Sequence, residues 1–187
     1  AQAEMAAWWR EACEVARWLR AGNAPINVRL WGPVLDPDEQ GRMVANMAYS
    51  RLYGTNASYR HNNLFVFGKT EFVVGAWGLN ALMNEHRRAQ ASQQAAVQWR
   101  DHQIASVAVT STRLWCGVAS GNRIEFAFSR IREFITDLTN WTITLAFSGD
   151  APPLRLSGFP APAVALWIGY GVYGDQWVDH PELRWLQ

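Results

Sequence analysis

Charged residues are scarce in this chain, and lysine is almost absent. Only 18% of the 187 residues are charged, against about 25% in an average globular protein, and Lys69 is the single lysine. The formal net charge is +1, so the molecule has no overall field that would attract a polyanion. We therefore do not expect a nucleic-acid partner.

Cysteine is also rare. Cys13 and Cys116 lie far apart in the sequence, and no C-x-x-C pair is present. This usage is more typical of buried reduced thiols in a cytosolic protein than of a disulfide framework. Residues 1–20 contain three glutamates where a signal peptide needs an apolar core. We expect a cytoplasmic protein, with the inner face of the membrane as an alternative location.

Recognisable catalytic and metal-binding motifs are missing. The four histidines have no metal-ligand spacing, and Asp101 and His102 form an acid–base pair only if a third group reaches them. Residues 169–174 match G-x-G-x-x-G, but they fall in or at the end of a predicted helix, whereas dinucleotide binding needs these glycines between a strand and a helix. We predict no enzyme activity, no cofactor and no metal; an enzyme of unrecognised type is the alternative.

The chain is nevertheless rich in apolar residues, at 49%, and its first stretch is amphipathic. Apolar residues in residues 1–22 recur at spacings of three and four, which predicts an N-terminal helix. The stripe consists of Met5, Trp8, Ala12, Val15 and Leu19. Trp9 and Trp18 fall beside it, so Trp8, Trp9 and Trp18 are candidate anchors for a partner protein. The alternative is that these indoles pack on the chain's own core.

The second half of the chain alternates between apolar and polar residues, which predicts β-strands. Strands are expected at residues 104–110, 113–119, 123–128, 141–147 and 154–157, with a less regular stretch at 131–140. Pro162 then suits the first turn of a C-terminal helix at about 161–173. Because this helix is almost uncharged, it must be covered by the sheet or by something outside the chain.

The first half is harder to assign. Residues 23–37 read as a linker with three prolines, followed by an acidic run at 35–39. Residues 41–53 have a possible helix cap at Asp36 and Glu39, but their apolar residues alternate, and we favour a strand. A loop at 54–63, a strand at 64–68 and a long helix at about 70–99 follow.

This order of elements resembles the bacterial PH-like and GRAM-like domains, as in uncharacterised actinobacterial proteins. Four motifs carry the resemblance: the step at Thr110, Arg113 and Leu114, the pair Trp99–Arg100, the tripeptide at 156–158, and the acidic run at 35–39. It covers roughly residues 35–186. It implies an α+β fold, a PH-like curved antiparallel β-sheet or partly open barrel closed by the C-terminal helix. Residues 23–187 would be a single domain, to which the helix at 1–22 and the inserted helix at about 70–99 are additions.

Arginines near the predicted strand ends form the second set of candidate site residues. They are Arg113, Arg123, Arg130, Arg132 and Arg155. If their loops converge on one rim, these side chains make a cationic site for a phosphate, a lipid headgroup or an acidic peptide. The alternative is that they are ordinary solvated arginines.

These observations favour a non-catalytic interaction module, which is also the role that the family resemblance implies. Its partner would be another protein or a second copy of the chain, held by tryptophan-rich helices or by strand addition. Peripheral association with anionic membrane lipid through the arginine rim is the alternative from a different class.

Overall fold

The computed structural model describes residues 1–54 and 96–187. Over these residues the chain forms two α-helices and seven β-strands. The helices are α1 (Gln2–Arg20) and α2 (Ala161–Tyr173). The strands are β1 (Gly41–Tyr53), β2 (Gln98–Thr110), β3 (Arg113–Gly117), β4 (Arg123–Ala127), β5 (Ile131–Asp137), β6 (Thr142–Phe147) and β7 (Leu154–Ser157). Short 3-10 turns follow β4 and α2.

All seven strands belong to one antiparallel sheet in the order β4-β3-β2-β1-β7-β6-β5. No ladder joins the two outer strands, β4 and β5, within the described residues, so the sheet is not closed into a barrel. Nevertheless, β4 ends at Ala127 and β5 begins at Ile131. A three-residue link between opposite edges requires the sheet to curl strongly. The α+β class with an antiparallel sheet is thus confirmed.

The interior of the curled sheet holds the core. Along β1, Met43, Ala45, Met47 and Tyr49 are buried while the residues between them are exposed. Such alternation is expected of a strand with one covered face, and it confirms the strand at 41–53. Ile143, Leu145 and Phe147 on β6 are buried in the same way.

Helix α2 spans the predicted residues and lies between the sheet and other helical segments. Every residue from Ala161 to Gly169 is buried, because the helix also contacts α1 and the 3-10 turns after Gly174. Close packing depends on two glycines: a Cβ on Gly169 would meet the Leu183 side chain, and one on Gly171 would lie 2.5 Å from the Phe128 ring.

Helix α1 docks on the same chain. Its inward face consists of Ala12, Cys13, Ala16 and Leu19. Arg20 closes the contact, because it donates hydrogen bonds to the carbonyl oxygens of Leu183 and Leu186 and lies 5.0 Å from the Trp177 ring centroid. Cys13 and Cys116 are both buried and free, as the sequence predicts.

Two expectations are wrong. Residues 131–137, expected to be irregular, form strand β5. This edge strand buries Phe134 and Thr136. Its alternation is not visible in the sequence, because two charged residues, Arg132 and Glu133, are adjacent and the apolar Ile135 is exposed. The inserted helix does not reach Trp99, because β2 begins at Gln98 and pairs with β1 up to Tyr53. The strand at 64–68 and the body of the helix from 70 lie outside the described residues.

Candidate interaction surface

A buried ion pair joins the segment before β1 to the β2–β3 hairpin. The Glu39 side chain is only 1% exposed. Its carboxylate accepts hydrogen bonds from Arg113 Nε (2.7 Å) and Nη2 (2.5 Å), from Thr110 Oγ1 (2.5 Å) and from the backbone N–H of Asp36 (3.0 Å). Thr110 and Arg113 are residues of the Thr-x-x-Arg-Leu step, so this motif ties the hairpin to the acidic run.

The hydrogen bonds decide the ionisation of this pair. Burial alone would raise the pKa of Glu39, but the hydrogen bonds from Arg113, Thr110 and the Asp36 N–H outweigh it and lower the pKa from 4.5 to about 2. The hydrogen bond to Glu39 raises the pKa of Arg113 in turn. Both groups are therefore charged across the physiological pH range.

The guanidinium of Arg113 is surrounded by carboxylates of the same chain. Besides Glu39, its guanidinium lies 3.6 Å from the Asp36 carboxylate and 3.0 Å from that of Glu125. Three carboxylates thus surround one cation. This neighbourhood is net negative, which is the opposite of the charge that an anion-binding rim requires.

The other candidate arginines lie elsewhere. Arg123 is opposite Gly117 at the far end of the β3–β4 ladder from Arg113. Arg155, on β7, stacks at 3.9 Å over the Trp99 ring, and burial lowers its pKa. Arg130 donates to the Ser148 carbonyl oxygen at 3.3 Å, and Arg132 is exposed on β5. The structure does not gather the five arginines into one cluster.

The tryptophans of α1 have separate surroundings. Trp8 and Trp9 are half-buried against the core, and Trp9 makes an edge-to-face contact with Trp141 at 5.9 Å. Trp18 is exposed, although its Nε1 donates to the Ala24 carbonyl oxygen at 2.8 Å. The inward face is broader than the predicted stripe, and α1 uses two of its three indoles within the chain.

An exposed apolar surface lies instead in residues 26–34, which we call the Trp31 segment. Ile26, Val28, Trp31 and Val34 are all exposed, Trp31 by 78% and Val34 by 86%. No other stretch of nine described residues exposes four large apolar side chains. The three prolines of residues 23–37 predict only a linker here, and the spacing of the apolar residues does not distinguish the exposed ones from the buried Leu30.

The Trp31 segment is held in place from both ends. The N–H of Val28 donates to the Gly41 carbonyl oxygen at 2.8 Å, and Arg42 Nη1 donates to that of Ile26 at 3.2 Å. Arg113 Nη2 reaches the Val34 carbonyl oxygen at 3.4 Å. Fixed ends reduce the entropy lost when the exposed side chains meet a partner.

Two arginines flank the tip of the segment. The Arg29 guanidinium stacks over the Trp31 ring at 4.4 Å. Arg123 packs against Gly32, whose φ of +110° allows the turn and whose missing Cβ leaves room for the guanidinium. Neither arginine forms an ion pair within the described part of the chain.

A groove of about 470 Å³ opens beside the Trp31 segment. Its apolar part consists of Ala127, Phe128 and Val172, and the exposed carboxylates of Asp36 and Glu125 lie at its polar side. The contact of Gly171 with Phe128 brings the end of α2 close to β4 and thereby shapes the groove.

Buried polar groups elsewhere have structural roles. Arg51 donates to the Pro152 carbonyl oxygen from Nε (3.1 Å) and Nη2 (2.6 Å) and to the Tyr49 hydroxyl from Nη1 (3.2 Å). Burial raises the pKa of the Cys116 thiol to about 12, so this group is not a thiolate at neutral pH. Arg42 lies 5.4 Å over the Trp167 ring, and burial lowers its pKa.

Asp101 and His102 point to different partners. Asp101 accepts a hydrogen bond from the Tyr53 hydroxyl at 2.9 Å, whereas His102 Nε2 lies 3.0 Å from the Trp99 carbonyl oxygen.

Residues 1–54 and 96–187 contain no group of three metal-ligating side chains. The same residues contain no helix with the length and apolar character needed to cross a membrane. Comparisons with protein-family models and with curated proteins found no match.

Proposed function

We propose that this chain is a non-catalytic interaction module that recognises another protein surface through the Trp31 segment. The observation that carries the proposal is the exposure of four apolar side chains within nine residues whose ends are hydrogen-bonded to the sheet. Tryptophan and arginine are enriched at the sites that contribute most binding energy in protein interfaces. Trp31, Arg29 and Arg123 supply both residue types on one surface.

Site-specific crosslinking tests the proposal in living cells. Trp31 is replaced by a photo-crosslinking phenylalanine derivative, and the matched control carries the derivative at Trp185, another exposed indole beside an arginine. We expect protein adducts at position 31 and none at position 185 after irradiation. Equal adducts at both positions, or none at position 31, would contradict the proposal.

Association with anionic lipid is the second candidate, favoured by one specific observation. Tryptophan prefers the interface of a bilayer, and Arg29 and Arg123 would lie near anionic headgroups when Trp31 is inserted. Asp36 and Asp38 follow closely in sequence and oppose this attraction. In flotation with phosphatidylglycerol vesicles at low salt, this candidate requires binding that Trp31→Ala removes and Trp185→Ala retains.

We also propose that the fold is a variant of the PH-like and GRAM-like architecture. Seven antiparallel strands followed directly by one helix support this relationship. An experimental structure whose sheet and α2 superimpose on known PH-like domains with the same strand order would test it, and a different connectivity would refute it.

A further inference from the structure

The Trp31 segment and the groove beside it are complementary. The segment presents an exposed indole flanked by two arginines without ion pairs among the described residues. The groove presents apolar side chains next to two exposed carboxylates, in a neighbourhood with three carboxylates and one cation. Apolar character and charge are therefore complementary between an exposed projection, the Trp31 side chain with its flanking arginines, and a depression of the same molecule.

The two surfaces are close neighbours. Arg113 contacts both: Nη2 reaches the Val34 carbonyl oxygen at the end of the segment, and the same side chain lines the groove. Yet Trp31 is 78% exposed, so it does not occupy the groove of its own chain. A projection beside a matching depression is suited to a two-fold symmetric pair, in which each copy inserts its projection into the other.

We infer that the chain forms a weak two-fold dimer in which Trp31 of each copy occupies the groove of the other. This inference rests on the proposed function and names a second copy as the partner. Arg29 of one copy then faces Asp36 and Glu125 of the other, which adds charge complementarity to the apolar contact. A contact confined to one side chain and one groove on each copy would be small, and small interfaces are typical of transient association.

Sedimentation of the full chain at concentrations from micromolar to millimolar tests the inference. We expect the average mass to rise from that of one chain toward that of two. Trp31→Ala should weaken the association at least about 30-fold, as for a central interface residue. Trp185→Ala removes an indole that is 62% exposed and should leave it unchanged.

A second variant blocks the groove. Ser129 is exposed at the groove, so Ser129→Trp should fill it without disturbing the core, whereas Thr139→Trp adds the same side chain at an exposed turn between β5 and β6. Ser129→Trp should be monomeric, and Thr139→Trp should associate like the wild type. Thermal unfolding of each variant establishes that it is folded.

Mixing provides the sharpest measurement. Trp31→Ala retains an intact groove, and Ser129→Trp retains an intact projection, so their mixture contains one functional contact per heterodimer. We expect heterodimers in the mixture although each variant alone is monomeric. A wild type that stays monomeric at millimolar concentration, a dimer that survives Trp31→Ala, or a mixture without heterodimers would overturn the inference. Crosslinking to a different protein at position 31 would still support the proposed function.

Discussion

At the scale of single residues, the Glu39–Arg113 pair shows that the short motif at Thr110 and Arg113 joins two distant parts of the chain. Thr110 and Arg113 could be recognised as a motif from the sequence, and Glu39 as part of an acidic run. The sequence could not show that they meet, because Glu39 lies 71 and 74 positions away from its two partners. Arg113 was predicted to bind an anionic ligand; in the structure the anions around it are the chain's own carboxylates.

Replacing Glu39 by Gln should destabilise the protein by about 3 kcal/mol at neutral pH, because it leaves a partly buried guanidinium without its main partner. Chemical denaturation measures the loss. Glu133→Gln, at an exposed position on β5, should change the free energy of unfolding by less than about 0.5 kcal/mol. An equal effect of both substitutions would show that the pair contributes no special stability.

The same pair predicts a dependence on pH. Because folding lowers the pKa of Glu39 from 4.5 to about 2, its stabilisation is fully present above about pH 4.5 and is lost as the pH falls toward 2. The wild type should therefore lose up to about 2.5 kcal/mol more than Glu39→Gln between pH 6 and pH 2.5. Parallel pH profiles of unfolding free energy for the two proteins would contradict this expectation.

At the scale of elements, α2 is held against the sheet through Gly171. Gly→Ala inside a helix normally stabilises it, but here the new Cβ would lie 2.5 Å from the Phe128 ring and 3.2 Å from the Ser111 carbonyl oxygen. Gly171→Ala should therefore destabilise the protein by about 1–3 kcal/mol. Gly117→Ala, where the nearest atom is 3.7 Å away, should be tolerated. Thermal or chemical unfolding measures the stability of both variants. A Gly171→Ala variant more stable than the wild type would contradict the packing argument.

Elements with strong periodicity were predictable, including the edge strand β4, whereas the other edge strand, β5, was not. Helices α1 and α2 and strand β7 follow from apolar spacing, proline and glycine. Strand β5 was missed because an edge strand exposes Ile135 outward and places Arg132 and Glu133 side by side. The first residues of β2 are polar, and only their backbone ladder with β1 makes them a strand. The Trp31 segment has no regular secondary structure, and it differs from an ordinary linker only in the exposure of its apolar side chains, which a sequence does not report.

At the scale of the whole molecule, α1 is part of the core rather than an appended arm. It buries Leu19 and Cys13 and binds the C-terminal residues through Arg20. Each buried large apolar side chain contributes about 1.5–3 kcal/mol. Deletion of residues 1–22 should therefore lower the free energy of unfolding by at least about 3 kcal/mol and lower the melting temperature. Trp18→Ala, on the exposed face of the helix, should leave the melting temperature nearly unchanged. A truncated chain with an unchanged melting temperature would show that α1 is dispensable.

The position of β1 determines how early the chain can fold while it is being synthesised. This strand lies in the middle of the sheet, between β2 and β7, and its residues Ala48–Arg51 pair with the last strand, more than 100 positions later. While the ribosome is still translating the intervening strands, one side of β1 has no partner and its backbone groups can pair with other nascent chains. The order of the strands thus makes the native state reachable only after β7 has emerged, and it makes folding slow through its many distant contacts.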